Sequence, residues 1–224
     1  MTVARAVKEV SDIDKKPARR HMDGATAREQ LLDAAEALFY RDGIRGVGVD
    51  AVVERAGVNK MSLYRQFSSK DDLVVAYLSR MDGRFRTRIE QSIAKHPGEP
   101  ARQLVQSIAD LVARASNPDY RGCPFVNIAC EFADREHPAR LSVAENKRYL
   151  MSRVLELSAA AGADDPQLLA DSLVLLVEGV YAASQTFGPG SGPMRSAART
   201  AELLVRDACR EVSSNLSFDA KVNT

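Results

Sequence analysis

Apolar residues recur along this chain at three- and four-residue intervals, the spacing of helices with one buried face, and no stretch alternates as a half-buried strand would. Thr26 and Glu29 have the spacing of a capping box, and Leu31, Leu32, Ala35, Leu38 and Phe39 follow on one stripe until Gly43 stops the helix. Val49, Val52 and Val53 give residues 49–56 an apolar face, ended by Gly57. Asn59 then stands where a cap is needed for a short helix to about residue 67, with Val58 and Leu63 at the spacing of a hydrophobic staple. Ser68 or Ser69 can cap the next helix, whose positive first turn suits Asp71 and Asp72, and which runs to about residue 95. Further helices are predicted at 100–115, 124–133, 138–161, 166–187 and 193–213, with prolines at first-turn positions where a missing amide is harmless. With no repeat and no low-complexity tract, the expected fold is all-α, with eight to ten helices.

The ends differ from the rest. Residues 1–24 lack periodicity and carry the cluster Lys15-Lys16-Pro17-Ala18-Arg19-Arg20, which reads as a flexible basic arm. The expected division is that arm, a first domain at 25–72 containing a two-helix motif at 48–67, a larger helical domain at 73–216, and a tail at 217–224. The apolar stretch 168–183 is interrupted by Asp171 and Glu178, short of the roughly 20 uncharged residues a membrane span needs. The first 24 residues show no secretory apolar core, so a cytoplasmic protein without a membrane partner is expected. Three cysteines make no disulfide framework. Residues 1–80 hold 14 basic and 12 acidic side chains. Any nucleic-acid binding must therefore come from locally placed charge, not from a basic field over the whole molecule.

One local arrangement has that character. Helices 49–56 and 60–67, joined through Gly57, form a helix-turn-helix pattern whose second member can enter a major groove by its N-terminal end. Lys60 can then neutralise a phosphate or donate to guanine, Ser62 can donate or accept, Met61 can meet a thymine methyl and Tyr64 can reach a phosphate. Arg65 and Lys70 add positive charge. Two short helices around a glycine can also be plain packing.

Residues 26–78 closely resemble the TetR family of transcriptional regulators. The resemblance is carried by Leu32, Ala34, Ala35, Leu38 and Phe39, then Gly43, Ala56-Gly57-Val58, Leu63-Tyr64, Phe67 and Lys70, in order and at family spacing. It implies a three-helix DNA-binding head in which Asn59 to Arg65 read an operator and Tyr64 and Lys70 hold phosphates. Two positions depart from the family: Gly48 stands where a threonine is usual, a weaker cap, and Met61 where a small residue is usual. The segment 121–134, RGCPFVNIACEFAD, followed by Glu136-His137-Pro138, resembles a recurring C-terminal domain of one subgroup. That likeness implies a body responding to a small molecule or to stress.

A head this small needs support from the body, and the helix beginning near Ser69 is placed to act as a lever, with Gly83 a soft point. Leu168, Leu169, Leu173 to Val177, Val180, Tyr181 and Phe187 cover most of one helix's circumference, and Ala197, Ala201, Leu204, Ala208 and Val212 form a small-residue stripe on the next. In the family these two helices, here about 166–187 and 193–213, build a homodimer interface.

For an effector the candidates are Cys123, Phe125, Asn127, Glu131, Phe132, Tyr149, Glu178 and Tyr181, which mix apolar area with polar handles. Each also reads as ordinary core, and Glu131, Asp171 and Glu178 as partners of Arg153 or Arg199. Cys123, at a helix start that favours thiolate, is a possible redox sensor. His21, His96 and His137 lack metal spacing with the cysteines, and Gly43, Gly46 and Gly48 form no phosphate loop, so no metal, cofactor or catalytic residue is expected. The expected function is a transcriptional repressor that binds a palindromic operator as a homodimer and is released by a small-molecule effector. The alternatives are a thiol-redox regulator of the same fold and a helical protein-interaction adaptor.

Overall fold

The computed structural model describes residues 24–209, which fold into nine helices. The basic arm, His21, the final stretch toward residue 213 with Val212, and the tail at 217–224 lie outside the described residues. Helices α1 (Gly24–Asp42), α2 (Val49–Ala56) and α3 (Lys60–Gln66) form the head. Helix α1 already runs at Gly24, so Thr26 lies within it and the expected capping box does not form. The other local signals act as the chemistry requires. Gly57 is left-handed at φ 67°, the Asn59 side chain accepts from the Ser62 amide at 2.8 Å, and Ser69, not Ser68, accepts from the Asp72 amide at 3.0 Å. Gly48 precedes α2 in extended conformation and offers no side-chain cap.

The body comprises α4 (Lys70–Ile93), α5 (Pro100–Ala115), α6 (Pro124–Glu131), α7 (Pro138–Ala160), α8 (Pro166–Thr186) and α9 (Gly192–Ala208). Helix α4 belongs to both parts. At 24 residues it is about 36 Å long. Leu73, Val74, Tyr77 and Leu78 are buried against α1, with the Tyr77 ring edge-on to Phe39 at 5.7 Å. Its later turns pack on α5, α6 and α7. Buried side chains form one continuous cluster from Leu31 in the head to Val205 in α9, so the head is seated on the body rather than tethered to it.

Helix α8 is long and apolar enough to cross a membrane by composition alone, with a mean hydropathy of 1.3, although Asp171 and Glu178 interrupt it. Here it packs against α5, α7 and α9 through Leu169, Leu173, Val177, Val180 and Tyr181. The small-residue stripe of α9 faces inward: Ala197 and Ala201 are buried with Met194 and Val205, and α9 packs closely on α5 and α8 of its own chain. The apolar side chains left exposed in this layer are Leu168 (63%), Leu175 (74%), Phe187 (68%) and Leu203 (42%).

Candidate nucleic-acid interface and effector cavity

The outer face of α3 is set by what its inner face buries. Leu63 is fully enclosed in the head core, which turns Met61 (65% exposed), Tyr64 (54%) and Arg65 outward, one turn apart. Such exposure of a methionine and a tyrosine side by side has no role in the fold of the chain itself. Lys60 is also exposed and pairs with Asp50 on α2 at 2.7 Å; that carboxylate raises the ammonium's pKa and keeps it charged. The Arg65 guanidinium lies 3.6 Å from the Met61 sulfur, and Ser62 is half-buried at the helix start. Lys70 is committed differently. Its ammonium donates to the Ile44 carbonyl at 2.7 Å and ties α4 to the turn before α2, with its remaining protons available to a phosphate.

Head and body meet along the α1–α2 turn. The Tyr40 hydroxyl accepts from the Arg121 amide at 2.9 Å and donates to the Gly122 carbonyl at 3.1 Å. Glu131 accepts from the Arg45 amide at 2.9 Å and lies so close to Gly43, whose φ is 78°, that a Cβ there would sit 3.1 Å from its carboxylate. Arg80 reaches Glu29 and Asp33, and Arg84 reaches Glu36, so α4 is clamped along α1 by charge as well as by core. Replacing Tyr40 by phenylalanine keeps the ring and removes both bonds. The expected loss is about 1 kcal/mol of stability, read as a lower urea midpoint with an unchanged slope.

Behind this junction lies a cavity of about 310 Å³, walled by α1, α4, α5, α8 and the approach to α6. Tyr40, Arg88, Arg114, Tyr120, Cys123 and Tyr181 line it with polar groups, together with the Glu36–Arg84 ion pair. A second, smaller hollow of about 50 Å³ shares Phe85, Leu111, Arg114 and Tyr181 with it and continues among leucines, including Leu104, Leu150 and Leu173. Burial raises the pKa of Tyr120 and Tyr181 well beyond the ordinary phenol, so both stay protonated. Burial also pushes the Cys123 thiol up, against the lowering by Lys147 and the first amides of α6; the expected thiolate is not favoured.

Of the eight effector candidates, Cys123, Phe125 and Tyr181 line the cavity. The other five are employed elsewhere. Asn127 donates to the Arg121 carbonyl at 2.9 Å, Glu131 holds Arg45, and Phe132 stacks on His137 with ring centres 4.3 Å apart. Tyr149 lies under Arg86 and donates to Glu90, while Glu178 pairs with Lys147 at 2.5 Å. Arg153 and Arg199, expected to hold Glu131, Asp171 or Glu178, pair with Glu90 and Glu202 instead. Unexpected members of the cavity are Tyr40, Arg88, Arg114 and Tyr120. The signal for Arg114 was its place beside the apolar stripe Leu104, Ile108, Leu111 and Ala115 of α5, where an arginine is out of pattern.

Fold and site together define a helix-turn-helix protein with a larger helical body. Residues 31–77 match the bacterial regulatory proteins of the tetR family. Over its length the chain is similar to the crystal structure of a TetR-family transcriptional regulator from Streptomyces coelicolor, with 30% identity, 84% of this chain and 96% of that one covered, and a TM-score of 0.79. It is also similar to a putative regulator of the same kind from Streptomyces avermitilis, at 32% identity, 82% and 98% coverage and a TM-score of 0.72. The chain belongs to the TetR family of transcriptional regulators. Among curated relatives, an uncharacterised helix-turn-helix regulator of Mycobacterium tuberculosis is 28% identical over 62% of this chain and 65% of its own length, so the match spans less than two thirds of that protein. The repressor KstR of Rhodococcus jostii is 33% identical over 51% of this chain and 52% of its own length.

Proposed function

We propose that this protein is a cytoplasmic repressor that binds a palindromic operator as a homodimer and leaves it when a small molecule occupies the cavity. The observation that carries this reading is that α1, the first helix of the head, is also a wall of the cavity, through Glu36, Ala37 and Tyr40. A ligand there touches the element that positions α3, so its occupancy favours one placement of the head over another. Met61, Ser62, Lys60 and Arg65 meet base edges, while Tyr64 and Lys70 hold phosphates and Asn59 sets the helix start. The exposed Leu168, Leu175, Phe187 and Leu203 give α8 and α9 the apolar face of a two-fold interface. That interface spaces two heads for half-sites about 34 Å apart.

The test is a titration against DNA upstream of the protein's own gene, with scrambled DNA as control and salt varied. Tight, salt-sensitive binding as a dimer is expected. Tyr64→Ala should weaken it roughly 10-fold, from about 0.7 kcal/mol in each of two heads, without altering sequence preference. Binding no tighter than to scrambled DNA, there and in a selection from random sequences, would sink the repressor reading in favour of a protein-interaction adaptor. A redox role for Cys123 is disfavoured by its burial, which raises the thiol's pKa.

A further inference from the structure

Among the described residues, the guanidinium groups of Arg88 and Arg114 make no ion pair and no hydrogen bond, and both line the 310 Å³ cavity. This is unusual for Arg114, which is largely withdrawn from water, because a desolvated charge is normally paired. The carboxylates near it are taken. Asp110, one turn earlier on α5, receives Lys95 through both oxygens at 2.7 and 2.8 Å, and Ser92 and Gln106 as well. Glu36, across the cavity, is held by Arg84, with Arg80 at 3.7 Å. Burial and the charge of Arg88 both lower the pKa of Arg114, the second because the two cations repel one another.

The hydroxyls of Tyr120 and Tyr181 also lack a protein partner among the described residues, and both phenols stay neutral. Beside the mutually paired Glu36 and Arg84, the cavity thus offers two unpaired cations and two O–H donors, with apolar walls from Met81, Phe85, Leu111 and Phe125. That set suits an acceptor with negative charge and repels an amine. A carboxylate matches the planar fork of arginine and can accept a phenol proton with its second oxygen. The adjoining apolar hollow, which shares Phe85, Leu111 and Tyr181 with the cavity, has room at about 50 Å³ for only the tip of a hydrocarbon body, the rest of which lies against the apolar walls of the larger cavity.

We propose that the cavity binds a monocarboxylate with an aromatic or short aliphatic body, its carboxylate on Arg114 and Arg88 and its hydrocarbon part toward Leu104, Leu150 and Leu173. This rests on the effector reading above and names the chemistry of the effector. Inorganic anions lack the body and bind weakly, and neutral analogues leave both cations unpaired.

The experiment is calorimetric titration of the full chain with benzoate, 2-naphthoate and octanoate, each beside its primary amide, followed by the same titrations on Arg114→Met and Arg114→Lys. At least one acid is expected to bind about 10-fold or more tightly than its amide. Arg114→Met should erase that difference, and Arg114→Lys should restore part of it. Arg114→Met should also raise the Tm of the ligand-free protein by about 2–4 °C, because it removes an unpaired charge and keeps the stem; this reading shows that the variant is folded. Amides binding as tightly as acids would overturn the anionic ligand and leave an effector cavity standing. No binding by any of the six, or a preference for acid that survives Arg114→Met, would overturn the assignment of the site. Binding of an acid without release of operator DNA would keep the carboxylate site and reject the regulatory reading on which it rests.

Discussion

Leu63→Ala is expected to abolish operator binding while leaving the body folded. Leu63 is fully buried and is the buried side chain of α3, whose 7 residues are too few to hold a helix without tertiary packing. Truncating an enclosed leucine to alanine costs about 3 kcal/mol. The loss falls on a head in which α3 is otherwise held by the Asn59 cap, the exposed Lys60–Asp50 pair and the following Phe67, buried under the Arg28 guanidinium at 4.7 Å. Operator affinity should drop more than about 100-fold, since both heads of a dimer carry the defect. Ligand binding in the cavity, measured by calorimetry, should persist. Operator affinity within about threefold of the parent would show that α3 is not the element that reads DNA.

Leu175→Glu tests the other half of the assembly. Leu175 is 74% exposed in the middle of α8, so a charge there disturbs nothing within one chain. In a two-fold interface the same position meets itself or its near neighbours, and two carboxylates would be buried together without partners. The expected result is a change in sedimentation mass from twice 24.5 kDa to 24.5 kDa, accompanied by at least a 100-fold weaker operator complex, because one head alone holds one half-site. Unfolding should become independent of protein concentration. A variant that still sediments as a dimer would move the interface away from α8.

How much of this could be read from the chain depends on how local the cause is. Proline at the first turn fixed the starts of α5, α6, α7 and α8 to the residue, because the ring excludes every later position in a helix. Asn59 and Ser69 acted as caps for the same reason: their partner amides are three residues away. Thr26 failed as a cap because it was chosen on spacing alone, and α1 was already helical two residues earlier. The cavity was less legible. Its walls come from α1, α4, α5, α8 and the approach to α6, and although Arg114 stands beside the apolar stripe of α5, nothing local in the sequence joins it to Arg88 before the fold brings both to one hollow. Asn127 and Glu131 erred the other way. They share a short helix with Phe125, but their side chains turn to the loop at 121 and to the α1–α2 turn.

Because Glu36, Ala37 and Tyr40 stand in the cavity wall and Tyr40 is bonded to residues 121 and 122, head and body are not interchangeable cassettes. A chimera that grafts this operator specificity onto a foreign sensor by cutting ahead of α4 would carry one wall of the old sensor with it and leave the new one with a mismatched lining. The safer seam exchanges only α2 and α3 and keeps the recipient's own α1, so that the graft changes which DNA is read without changing which molecule is felt.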